Sequence, residues 1–117
     1  MRDPKKLQAF QLADQLALVV YNATHAFPKE EQFGLAAQMR WAAVSVPSNF
    51  VEACARDSQS DYLRFLGMAY GSASELLYPV SLAFRLKYLS VDEHATLKAL
   101  CEETCKTLNG LISSLHR

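Results

Sequence analysis

Apolar residues along this chain recur at steps of three and four, in four separate blocks, and nowhere with convincing strand alternation. From about Leu7 to Phe27, the residues Phe10, Ala13, Leu16, Val20 and Phe27 fall on one stripe and predict a first helix. The stretch FPKEEQFG then interrupts it, because Pro28 cannot continue a helix and Gly34 weakens one. In the second block Leu35, Met39, Ala43, Val46, Phe50 and Cys54 keep helical phase straight through Pro47. A loop at the proline would lose that phase. The spacing therefore predicts one helix, kinked at Pro47 where the ring would meet the carbonyl of Ala43.

Ser58 with Asp61 resembles a capping box, Asp standing where Glu is usual, and opens a third helix. Tyr62, Leu66, Ala69, Ala73, Leu76, Val80 and Ala83 follow as a heptad seam, with Pro79 expected to bend it. Ser90 and Glu93 form a full capping box before the stripe of Leu97, Leu100, Leu108, Leu111 and Leu115. Short connections favour antiparallel neighbours. The expectation is all-α: an up-down-up-down antiparallel four-helix bundle, one domain over residues 1–117.

Projected at about 100° per residue, the second helix separates into three lanes. One is the stripe just named. Beside it lies a polar lane of Gln38, Ser45, Asn49, Glu52 and Arg56. Beyond that comes a second apolar set: Ala37, Trp41, Val44, Ser48, Val51 and Ala55. A bundle helix needs one apolar side for its own core. The second, with the only Trp, either packs internally against a neighbouring helix or meets another subunit. We expect the subunit interface, since large exposed apolar patches mark contact sites.

Composition narrows the classes. Half the residues are hydrophobic, enough for a packed core, and the 12 basic and 12 acidic side chains cancel. A neutral domain has no general pull toward nucleic acid or anionic membrane, though a local basic patch remains open. No apolar run approaches a membrane span, and no secretion signal is evident, so a soluble cytoplasmic protein is expected. Cys54, Cys101 and Cys105 are an odd set in apolar surroundings, which argues for reduced buried thiols.

Catalytic chemistry finds little support. A di-iron bundle needs E-x-x-H pairs on facing helices, and the chain has no E-x-x-H. His94, Cys101 and Cys105 share one lane of the fourth helix, but three ligands without a fourth are weak against ordinary thiol packing. No phosphate loop or nucleophile motif occurs. His25, His94 and His116 sit near helix ends or on polar faces, where solvation accounts for them. Glu52 and Arg56 read as a surface ion pair. Glu75, beside Gly71 and Ser72, is placed either at a neighbouring helix or at an exposed groove. No cofactor or metal is expected.

Several motifs coincide with a known family. FPKEEQFGL, then Gln38, Arg40, Ala42, Ala43 and SVPSN with Glu52, resembles the four-helix-bundle family encoded in intervening sequences of bacterial 23S rRNA genes. FLGMAYGSASEL resembles that family's third-helix signature, through Phe65, Leu66, Ala69, Gly71, Ser72, Glu75 and Leu76. Leu7, Phe10, Gln11, Ala13 and Tyr21 fit its first helix, and Leu86, Tyr88, Leu89 and NGLISSL its end. The resemblance implies a four-helix bundle that assembles as a ring-like homopentamer. Relatives include basic accessory proteins of retroelements, which bind nucleic acid and a reverse transcriptase; most members have no established activity. Here Trp41, Asp57 and Tyr70 stand where the family often has basic residues, Leu77 and Pro79 where it has polar ones, and Ala53 where it has Gly.

Two functions follow as expectations. The first is a non-catalytic, self-assembling scaffold or adaptor whose partner is itself. The alternative is a nucleic-acid-binding accessory protein, using Arg40, Arg56 and Arg64 repeated around a ring. The loss of basic residues and the zero net charge favour the first.

Overall fold

The computed structural model describes residues 3–115. Four α-helices and one short 3-10 turn account for it: α1 Pro4–Thr24, the 3-10 turn Lys29–Glu31, α2 Leu35–Cys54, α3 Gln59–Arg85 and α4 Val91–Ser114. No strand occurs among the described residues. Each helix packs on two others, in the cycle α1–α2–α3–α4–α1, with the most extensive packing between α2 and α3. The diagonal pairs stay apart. This is a four-helix bundle, and its longest dimension of 43 Å, against 24 and 21 Å across, follows from helices laid side by side.

Contacts between neighbours run in opposite order along the chain. Phe10, early in α1, lies 6.4 Å from Phe50, late in α2, whereas Arg40, early in α2, reaches Thr24 at the end of α1. Phe84 at the end of α3 stacks at 4.1 Å on His94 at the start of α4. The first two contacts set α1 and α2 antiparallel, and the third joins α3 to α4 across their short connection.

The predicted stripes supply the core. Ala13, Leu16 and Val20 of α1 meet Met39, Ala43, Val46 and Phe50 of α2, Leu66 through Ala83 of α3, and Leu97, Leu100, Leu108 and Leu111 of α4. Two ends of stripes do not reach it. Cys54 is exposed, and Ala53 occupies the last core position of α2 instead. On the helical projection the two straddle the core direction, and Ala53 is the one turned toward α3, against which α2 packs most closely. Leu115 is also largely exposed, one residue past α4.

The ends of the helices depart from expectation in detail. α1 begins at Pro4 rather than near Leu7, because the Asp3 carboxylate caps it by accepting from the Lys5 N–H at 2.9 Å. It stops at Thr24, leaving Phe27 buried but outside the helix, 5.4 Å from Tyr88. Ser58 makes only the forward half of a capping box, accepting from the Asp61 N–H at 3.1 Å. Asp is one methylene shorter than Glu, and Asp61 turns to Arg64 instead, at 3.6 Å. Ser90 and Glu93 complete both halves.

α2 runs unbroken through Pro47, as its phase predicted, and α3 through Pro79. Each proline removes one N–H from the helical ladder. At Pro47 the carbonyl that loses its helical donor is that of Ala43, and the neighbouring polar side chains bond other carbonyls of the same helix. Ser45 Oγ donates to the Trp41 carbonyl at 2.9 Å, and Asn49 Nδ2 donates to the Ser45 carbonyl at 2.8 Å. Two members of the polar lane thus serve their own helix.

Candidate interaction surface

α2 positions the candidate residues by its rotation. Its inner stripe packs on α1 and α3, and among the described residues no helix lies over the lane on the opposite side. Trp41 is 80% exposed, Val51 50% and Val44 40%; Ser48 and Ala55 are exposed, and Ala37 is half-buried. Among the described residues no element packs on this face. In the polar lane, Gln38 and Arg56 are exposed, while Ser45, Asn49 and Glu52 are half-buried toward α3.

The two lanes meet α3 in an open groove of about 630 Å³, comparable to the usual 300–1,000 Å³ of a ligand cleft. Phe33, 90% exposed, and Trp41 stand at its sides. Ala37, Ala42 and Ser45 line it from α2, and Ser72 and Glu75 from α3. Glu75 therefore stands at a groove and makes no salt bridge among the described residues. Phe33, in the connection before α2, has no helical period to announce it. Its only sequence signal is a large aromatic beside Gly34.

The three candidate arginines do not form one patch in the subunit. Arg40 and Arg56 sit at opposite ends of α2, about 24 Å apart at 1.5 Å per residue. Arg40 is built into the fold. Its Nε donates to Thr24 Oγ1 at 2.8 Å, its Nη2 to the Tyr21 carbonyl at 3.4 Å, and its guanidinium lies 4.7 Å over the Tyr21 ring. α1 has no basic residue in its last turn, so this cation from α2 supplies the favourable charge at its C-terminal end. Arg56 pairs with Glu52 at 2.6 Å, and with Arg64 it brackets the Phe65 ring at 5.4 and 4.4 Å.

At the Arg40 end of the bundle, Glu31 does work that spacing did not reveal. Gly34, at the N-cap of α2, has no side chain to cap with, and Glu31 Oε1 accepts from the Leu35 N–H at 3.2 Å in its place. Its other oxygen accepts from the Tyr88 hydroxyl at 3.2 Å, joining the first interhelical connection to the last.

Chemistry elsewhere is sparse. Cys101 is buried and Cys105 half-buried, and Ser74 Oγ lies 3.6 Å from Cys105 Sγ. Burial pushes the Cys101 thiol up to about 12, with Cys105 and Glu102 adding to it, so it is a poor nucleophile and metal ligand. Among the described residues no group of three His, Cys, Asp or Glu side chains could hold a metal ion. His25 is exposed, His94 is packed on Phe84, and His116 lies outside the described residues. No described helix is long and apolar enough to cross a membrane.

Fold and surface together define an all-α bundle with an uncovered apolar helix face. The family model for the 23S rRNA-intervening sequence protein matches residues 5–110, and the chain belongs to that family. A crystal structure of a protein with unknown function, from the S23 ribosomal protein family of Bacteroides thetaiotaomicron VPI-5482, is similar to it with a TM-score of 0.86. That likeness covers 93% of this chain and 98% of the other at 21% identity, which speaks for the fold alone. No curated protein matches the chain.

Proposed function

We propose that the protein is a non-catalytic, self-assembling scaffold or adaptor whose subunits meet through the outer lane of α2. The observation that carries this reading is the exposure of Trp41, Val44 and Val51 on one continuous face beside Phe33. Leaving so much apolar surface in water is unfavourable by roughly 25 cal/mol per Å², and a second copy relieves it. A ring of five copies is the arrangement the family resemblance implies. Three free cysteines suit a reducing compartment, which favours the cytoplasm. We assign no catalysis, since among the described residues no His, Cys, Asp or Glu side chains converge into a metal-holding group and the Cys101 thiol is pushed far up by burial.

Sedimentation equilibrium tests the reading. A species at a multiple of the 13.1 kDa subunit is expected, with five copies as the leading stoichiometry. A mass that stays at one subunit across micromolar concentrations would refute it. The nucleic-acid alternative has weaker support, since Arg40, Arg56 and Arg64 all have partners within the subunit. Gel shift of RNA and DNA against salt separates the two: phosphate contacts strengthen as salt falls, so binding absent at low salt eliminates the alternative.

A further inference from the structure

Four aromatic rings of this subunit have their own cation among the described residues. Lys6 lies 4.7 Å over Tyr62, Arg40 4.7 Å over Tyr21, Arg64 4.4 Å over Phe65 and Arg85 5.8 Å over Tyr78. Trp41 is not among them, and neither are the exposed Phe33 and Tyr70, but Trp41 alone of these three is an indole. Indole is the best cation acceptor among the side chains, yet no cation sits over it among the described residues. Glu75 shares its groove, is exposed, and is the one charged side chain lining it. An open indole face beside an unpaired carboxylate is the chemistry that holds a guanidinium, which stacks on one and hydrogen-bonds the other.

Every copy of this chain carries a candidate guanidinium. Of the four arginines among the described residues, Arg40 is held by Thr24 and Tyr21, Arg56 by Glu52, and Arg64 by Asp61. Arg85, the last residue of α3, is exposed and has no acidic partner among the described residues. Its guanidinium lies 5.8 Å from the Tyr78 ring, near the roughly 6 Å limit of a useful cation–π attraction. Tyr78 is itself 65% exposed, and Leu86 beside it is exposed too, so the cation is presented on an apolar surround. Arginine and tyrosine are enriched at interfaces where lysine is depleted, which favours Arg85 over the exposed lysines.

We infer that the groove between α2 and α3 of one copy receives Arg85 of a second copy, with its guanidinium against Trp41 and paired to Glu75. This rests on the proposed self-assembly through α2, and adds the partner surface. It explains why an acid stands at the rim of an otherwise uncharged groove. It also makes the contact selective, since a like-charged approach to Glu75 is repelled.

Charge reversal and its rescue test the pairing. Sedimentation equilibrium is run on the full chain, on Glu75→Arg, on Arg85→Glu and on the double variant, with circular dichroism to confirm that each stays helical. Each single change should raise the dissociation constant about tenfold or more, and the double should recover most of that loss. Singles that assemble like the wild type overturn the inference, as does a double that is no tighter than its weaker parent. If a reversal disturbs the helical signal, Glu75→Gln and Arg85→Gln replace it, and unchanged assembly in both again overturns the pairing. Trp41→Glu, run alongside, keeps the two readings distinct. If it assembles normally, the α2 interface itself fails; if it dissociates while the charge variants do nothing, only the Arg85 contact fails.

Discussion

Met39 and Trp41 stand two residues apart on α2, about 200° from each other around its axis. Met39 is wholly buried among the other helices, whereas Trp41 is mostly in water. Both belong to apolar lanes with the same steps of three and four, so periodicity alone makes them equivalent. What separates them is the number of neighbours a helix in this bundle has. α2 packs on α1 and α3 with α4 outside its reach, and two neighbours cover roughly half of a helix surface. The outer lane exceeds what the subunit can bury. The inner lane is accounted for by folding; the outer lane is the surplus on which the proposed assembly rests.

The largest effect expected is on the inner face. Met39→Glu places a carboxylate where no partner can reach it, costing about 4 kcal/mol or more, a large share of a small domain's stability. The variant should lose its cooperative thermal transition by circular dichroism. Trp41→Glu is the counterpart on the outer face. It should change subunit stability by no more than about 0.5 kcal/mol, yet weaken assembly by about 2 kcal/mol or more, as removal of a central aromatic anchor does. Light scattering beside circular dichroism reads both quantities. Were both variants to unfold alike, the contrast between the lanes would be lost, and with it the structural argument for assembly.

How far the sequence carried this contrast can be seen residue by residue. The seams of α3 and α4 were legible because each repeats over several turns, and one misplaced residue does not shift the phase. The end of α2 was not. Cys54 and Ala53 fit the spacing about equally, and the tie is broken by α3, a neighbour that one helix's own period cannot see. The two lanes of α2 could be told apart, but which partner the outer one takes was beyond a projection. The ties at the Arg40 end were invisible for a different reason. Glu31 and Tyr88 are 57 positions apart, and Arg40 caps a helix 16 positions upstream. Local pattern has no access to such pairs. The same blindness made Arg40, Arg56 and Arg64 look like one basic set, when the helix length separates Arg40 from the rest.

Pro47 offers a finer test of whether the two faces are independent. It lies between them on the α1 side of α2, half-buried, with Ser45 and Asn49 bonding the carbonyls around it. Pro47→Ala restores an N–H that can bond the Ala43 carbonyl and removes the steric cause of a bend. Core residues on either side are already packed, so helical content and melting temperature should hold or rise. The outer lane, however, spans both halves of the helix, from Trp41 to Val51, so if Pro47 bends α2 as its sequence predicts, its removal re-aims one half against the other. Assembly should weaken about tenfold at most, or about 1.4 kcal/mol, less than for Trp41→Glu because the anchor itself remains. A variant that assembles normally but melts lower would show that the proline serves the inner face.

The smallest effect concerns the thiols, which repeat the inner and outer contrast on a second pair of positions. Cys54, exposed at the end of α2, should react with an alkylating reagent far faster than Cys101, though below the rate of a free thiol because partial burial pushes its own pKa up. Cys101 should react only when α4 opens. Alkaline pH distinguishes them thermodynamically. Burial, reinforced by Cys105 and Glu102, pushes the Cys101 thiol from 9.0 up to about 12, so the folded state holds its proton more tightly than the unfolded chain does. A raised folded-state pKa contributes stability that is fully present below the unfolded value. It is lost as pH climbs from about 9 through about 12, because the unfolded chain ionises first. Tyr62, raised from 10.0 to about 12 by partial burial first and by Cys54 and Asp3 after it, adds to the loss at the upper end of that window, discounted for its exposure. Urea unfolding at about pH 8 and pH 10 should therefore differ by about 1 kcal/mol on account of Cys101. Cys101→Ala should remove most of that difference at the cost of a small cavity, and Cys54→Ala only the smaller part that its own exposed thiol contributes. Equal alkaline sensitivity in the two variants would mean that Cys101 is not held in the protonated form by the core, and that the inner face of α4 is wetter than its packing requires.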